Sequence, residues 1–137
     1  MIEETLIEET IVLMVLGNDE ILGDSKIIGY IEDRFYPEKL PQDVTLPAIV
    51  YNKISAPEFH DIDVAYPRFQ FSCFSKDLTE CKRMAIAVKE LFQRYKGICG
   101  GCHILQGVFL DEVKLPDDSG IRHIAVDIRV VYKKITD

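Results

Sequence analysis

Two hydrophobic periods divide this chain between them. From Ile2 to Leu16 apolar residues recur at helical spacing, with Glu3, Glu4, Glu8 and Glu9 in the first turns, where the positive end of the helix dipole favours acids. Gly17-Asn18 closes the stretch, and Ile2, Leu6 and Leu13 are its predicted buried face. In the segment up to Gly29, Asp24 or Ser25 can cap a short helical piece running toward Ile31. Phe35-Tyr36-Pro37-Glu38-Lys39-Leu40-Pro41, followed by Leu46-Pro47, is held extended by its prolines, which also bar it from a central strand. A period of two then takes over in Ala48 to Ile54 and in Arg68 to Phe74, where Phe69, Phe71 and Cys73 oppose Arg68, Gln70 and Ser72. Ile104 to Val113 is a third strand. Arg122 to Tyr132 is the clearest, with Ile124, Val126, Ile128, Val130 and Tyr132 on one face against His123, Asp127 and Arg129.

Helical spacing returns between the second and third strands. Asp77-Leu78-Thr79-Glu80 has capping-box spacing, Gly97 is the predicted stop, and Leu78, Cys81, Met84, Ala85, Val88, Leu91, Phe92 and Tyr95 form one stripe. These elements predict an α+β, two-layer domain spanning residues 1–137, in the order α, β, β, α, β, β. Its sheet is mostly antiparallel, of four or five strands, with two main helices packed on one face. The other face, with Gln70, Ser72, Asp127 and Arg129, is left for water or a partner. The connection from Ala56 to Pro67 is far longer than a plain hairpin needs. It mixes Glu58, Asp61 and Asp63 with Phe59, Ile62 and Tyr66, which suits a segment ordered on meeting a partner.

Composition narrows the function more than it identifies it. At 137 residues and 47% hydrophobic, the chain can bury a full core. Its longest apolar run, Ile11 to Leu16, is far short of a bilayer span, so no membrane partner is expected. A net charge of −7 without a Lys/Arg block argues against tight nucleic-acid binding. Met1-Ile2-Glu3-Glu4 lacks the positive start of a secretory leader, so the four cysteines are expected as thiols.

Cys99-Gly100-Gly101-Cys102-His103 is the densest chemical motif. It fits the haem-attachment pattern, but that chemistry follows export. A redox dithiol belongs at a helix N-terminus, whereas this pair follows a helix C-terminus, where the field has the wrong sign. A zinc site on Cys99, Cys102 and His103, completed by Cys73 or Cys81, is the remaining chemical option. A glycine turn from helix to strand accounts for the same residues without a ligand. On that reading no metal or cofactor is expected, and serine should replace either cysteine at little cost. His60 and His123 stand singly, and the acid pairs Asp61/Asp63, Asp111/Glu112 and Asp117/Asp118 fall in loops or strand ends. No nucleophile elbow, phosphate loop or helical histidine pair occurs, so no enzyme activity is expected.

The succession of features carries a resemblance. Arg34-Phe35-Tyr36-Pro37, Leu40-Pro41-Gln42-Asp43 and Leu46-Pro47-Ala48-Ile49-Val50-Tyr51-Asn52-Lys53-Ile54-Ser55 precede Arg68-Phe69-Gln70-Phe71-Ser72-Cys73-Phe74, the helix from Asp77, and the strand Arg122 to Tyr132. In spacing and hydrophobicity this resembles the tail-completion proteins of long-tailed phages and prophages, also called tail terminators or tail-to-head joining proteins. The resemblance implies a non-enzymatic virion component, assembled in the host cytoplasm, that forms a ring, commonly a hexamer. Such a ring caps the tail tube and meets the head-completion or connector protein. Six copies at −7 each give −42, an acidic bore in which DNA finds no binding minimum. The cysteine motif is outside that pattern. The partner-binding residues expected here are Glu58, Phe59, Asp61, Ile62, Asp63, Gln70, Asp127 and Arg129. The competing classes are a small metal or redox module on Cys99, Cys102 and His103, and an α+β adaptor for some other protein.

Overall fold

The computed structural model describes residues 4–16, 27–59, 64–93, 95–99 and 101–134. In chain order these form α1 (Glu4–Leu16), α2 (Ile28–Ile31), β1 (Phe35–Pro37), β2 (Ala48–Ser55), β3 (Glu58–Phe59), β4 (Val64–Ala65), β5 (Arg68–Ser75), α3 (Leu78–Phe92), β6 (Gly97–Cys99), β7 (Cys102–Asp118) and β8 (Ile121–Lys134). All eight strands join one sheet. β5 and β4 lie end to end along one side of β8, and β2 and β3 lie end to end along them. β7 takes the other side of β8, with β6 outside its first residues. β1 adds a parallel edge beside β2.

The α+β, predominantly antiparallel reading holds, but the sheet is larger than four or five strands. The additional strands are two or three residues long, so pairing rather than periodicity defines them. The segment 56–67 is the main correction. Instead of one long loop it extends the β2–β5 hairpin, with Glu58 opposite Ala65 and Phe59 opposite Val64. Pro57 and Pro67 donate no ladder bond but keep the chain extended. Their carbonyls accept from Tyr66 (3.0 Å) and Val130 (3.0 Å).

The alternation read from sequence sets the core. Phe69, Phe71 and Cys73 of β5 and Ile124, Val126, Ile128, Val130 and Tyr132 of β8 are buried with the inner faces of α1 and α3. Phe71 stacks on Phe92 of α3 at 4.9 Å between centroids and on Phe35 of β1 at 6.2 Å. α1 buries Ile7, Ile11, Met14 and Val15, while Leu13 packs only at the margin. Ile2 and the Leu6 side chain lie outside the described residues. Residues 11–16 are apolar all round, so periodicity alone did not select the buried face.

α3 starts where the capping spacing placed it. Asp77 accepts from the Thr79 amide (3.0 Å), but the box closes through Ser75, whose hydroxyl donates to Glu80 (2.7 Å) and accepts from the Asp77 amide (3.1 Å). The helix ends at Phe92, capped by extended Gln93, before the expected stop at Gly97. β7 then passes directly beneath it. A Cβ on Gly107 would lie 1.9 Å from the Phe92 carbonyl oxygen, and the Gly107 amide donates to Tyr95 (3.1 Å). The β7–β8 hairpin closes through Ser119 (φ 52°) and Gly120 (φ 78°), both left-handed, as a two-residue turn matched to strand twist demands.

Candidate functional site

The candidate site is the sheet face turned away from the helices. Paired residues share a face, so the strand register lays it out directly. β5 contributes Arg68, Gln70, Ser72 and Phe74, and β8 contributes Arg129, Asp127, Ala125 and His123. Toward one end lie Arg68 opposite Arg129 and Gln70 opposite Asp127, all half-buried. The Gln70 amide donates to an Asp127 carboxylate oxygen at 3.2 Å, and the Arg129 guanidinium lies 5.7 Å from the Tyr66 ring. The Nε atoms of Arg68 and Arg129 are buried without a hydrogen-bond partner. β7 adds Val108 opposite Arg129 and, past a bulge, Asp111 opposite Asp127.

Toward the other end, Phe74 stacks on His123 at 4.2 Å with planes 26° apart. With Leu40, Pro116 and Ile121 they line a groove of about 250 Å³. Its polar content is small: His123 Nε2 is buried and unpartnered, and burial lowers the histidine pKa below its ordinary value. Such a groove suits an apolar side chain better than a reacting substrate.

Of the expected contact residues, Gln70, Asp127 and Arg129 are brought together on this face. Glu58 and Phe59 lie on β3, at the far end of the extended hairpin. Asp61, Ile62 and Asp63, with His60, lie outside the described residues, as do the side chains of Glu58 and Phe59. Arg68 and Asp111 also belong to the face, outside the set of contact residues that the sequence leads one to expect. Their sequence signal is the alternation of β5 and a polar residue beside an apolar stretch of β7.

The cysteine motif is a hairpin. Cys99 stands opposite Cys102 across residues 100–101, so the glycine turn joins two strands, not helix to strand. Cys102 is buried in the core, and His103, its neighbour in an extended strand, lies on the opposite face. The Cys99 side chain is outside the described residues. Cys73 and Cys81 are buried in the core, and Cys81 Sγ donates to the Cys73 carbonyl (3.2 Å). Burial raises both thiols, Cys81 to about 11 and Cys73 well above its ordinary value, which opposes thiolate ligation. Among the described residues no three His, Cys, Asp or Glu side chains gather as a metal would require. Asp117 is engaged by Arg122 and by Lys114 (3.8 Å). No described helix is long and apolar enough to cross a membrane.

No family model matches the chain, and no curated protein does. Among solved structures, 21 chains match. One belongs to the "Virion of native gene transfer agent (GTA) particle", with a TM-score of 0.68 at 14% identity, covering 88% of this chain and 90% of that one. At that identity the likeness is one of fold, over nearly the whole length of both chains.

Proposed function

We propose that this chain is a non-enzymatic structural protein of a phage-like virion. In this reading it forms a ring, six copies in the form that its sequence resemblance implies, and is assembled in the host cytoplasm. The ring caps a tail tube and presents a surface to the head connector, and DNA passes through its acidic bore. The shared fold with a chain of a gene transfer agent virion supports the virion part of this reading.

The observation that carries the ring is where the exposed aliphatics sit. Among the described residues the exposed large hydrophobics are Ile54, Ile86, Ile98, Leu110 and Val113. All but Ile86 lie on strands at the margins of the sheet: Ile54 on β2 beyond the reach of β1, Ile98 on β6, and Leu110 and Val113 on β7. Monomeric proteins blunt such edges with charge, proline or cover. The two margins differ and stand at opposite ends of the sheet, so joining one to the other is a head-to-tail contact, the kind that closes into rings. In this reading Glu58, Phe59, Asp61, Ile62 and Asp63 supply a second contact, with a neighbour or the tube end. Gln70, Asp127 and Arg129 remain on the open face.

Light scattering over a range of concentrations, with and without tail-tube protein, tests the reading. A ring in either condition is the expected result, each contact burying about 800 Å² per partner. A strict monomer in both overturns it.

A further inference from the structure

The charges on the open half of the outer face are set in rows, like beside like. Arg68 stands directly opposite Arg129, and one step along the sheet Asp127 stands directly opposite Asp111. Like charges across a strand pair are unfavourable, and exchanging one residue of each row would have paired them within the chain. Instead, Asp127, Asp111 and Arg129 are each fixed in their rows by a neutral neighbour. Gln70 holds Asp127 (3.2 Å), the Glu112 amide donates to Asp111 (2.8 Å), and Tyr66 lies under Arg129. Among the described residues neither guanidinium meets a carboxylate at ion-pair distance, and both Nε atoms are buried and unpartnered.

A row of two cations beside a row of two anions, about 7 Å apart along the strands, is complementary to itself turned through half a revolution. We propose that this face is a self-recognition surface on which a second copy of the chain docks about a two-fold axis. The Arg68/Arg129 row of each copy then meets the Asp111/Asp127 row of the other. Face-to-face docking gives the guanidiniums the carboxylates they lack, and the two-fold makes one patch serve both partners. Nucleic acid is a poor occupant, because the aspartate row beside the arginines repels a polyanion. The contact does not rest on the ring reading: Arg68, Arg129 and Asp127 lie on β5 and β8 inside the sheet, and Asp111 alone lies on the β7 margin that a ring uses, so the face pairs free subunits or stacks two rings.

The test is sedimentation equilibrium on the full chain, followed by charge reversal. Wild-type protein is expected to self-associate at about 0.01 M salt and to weaken about tenfold or more by about 1 M, as the screening length falls from about 30 to 3 Å. R68E/R129E and D111K/D127K should each lose the contact alone and recover it when mixed in equal amounts. If D111K/D127K fails to fold, judged by circular dichroism, D111K replaces it, since Asp111 is exposed. Association of either variant at wild-type strength overturns the proposal, as does a mixture that stays dissociated. Mass separates this contact from the ring: a dimer or a doubled ring lost in R68E/R129E, whose sites lie inside the sheet, reports the face, and a single ring insensitive to R68E/R129E reports the margins alone and overturns the proposal.

Discussion

Gly107 is held by sterics rather than by conformation. Its missing side chain lets β7 run beneath the last turn of α3, so Gly107→Ala must push the Phe92 carbonyl away, at an expected cost of about 3 kcal/mol in urea unfolding. Cys102 reverses a sequence expectation. Because its side chain is buried in the core, Cys102→Ser inserts a hydroxyl there, and a loss of roughly 1–3 kcal/mol is expected instead of near neutrality. Zinc or haem bound stoichiometrically to purified protein, or unfolding by a chelator, would show instead that the hairpin is a ligand site. His123 gives a pH signature. Burial lowers its folded pKa below the unfolded value of 6.5, so the unfolded chain takes up the proton first. Stability should therefore fall as pH drops through 6.5 and level off below the depressed folded value. Subtracting the profile of His123→Gln isolates this component, and parallel profiles would rule it out.

At the scale of elements, what was legible is what periodicity determines. β5 and β8 keep a strict alternation over a half-buried sheet, and α3 carries a cap and a stripe, so their faces follow from sequence alone. Asp77→Ala should accordingly cost about 1 kcal/mol in thermal or urea denaturation, since it removes the acceptor for the Thr79 amide. β1, β3, β4 and β6 were not legible, because strands this short exist only through their partners. The candidate face was half legible for the same reason. Gln70, Asp127 and Arg129 were placed by alternation, but Asp111 was not. Unbroken alternation would put Asp111 on the inner face with Phe109, and the register shift between those residues returns it to the outer one. The buried side of α1 stayed hidden where its sequence is apolar all round.

For the whole molecule, the decisive question is whether the aliphatic margins of the sheet are contacts or idle edges. Leu110 and Val113 are 40% and 45% exposed, so lysine at both sites removes little buried surface from the subunit. Surface changes of this kind usually alter stability by about 0.5 kcal/mol or less. Lysine on an edge strand is also the device by which monomeric sheets refuse edge pairing. The double variant L110K/V113K should thus keep the wild-type thermal midpoint and circular dichroism while failing to form rings by light scattering with tail-tube protein. Ile54→Lys, at the opposite margin, should do the same, because in a head-to-tail contact either half is sufficient to break it. Ile86→Lys on α3, more exposed but away from both margins, should assemble normally and serves as the control. If the margin variants assemble as well as the control, the edges are idle. The contact then moves to the hairpin tip, where replacing Glu58 to Val64 with an Asn-Gly turn should abolish assembly.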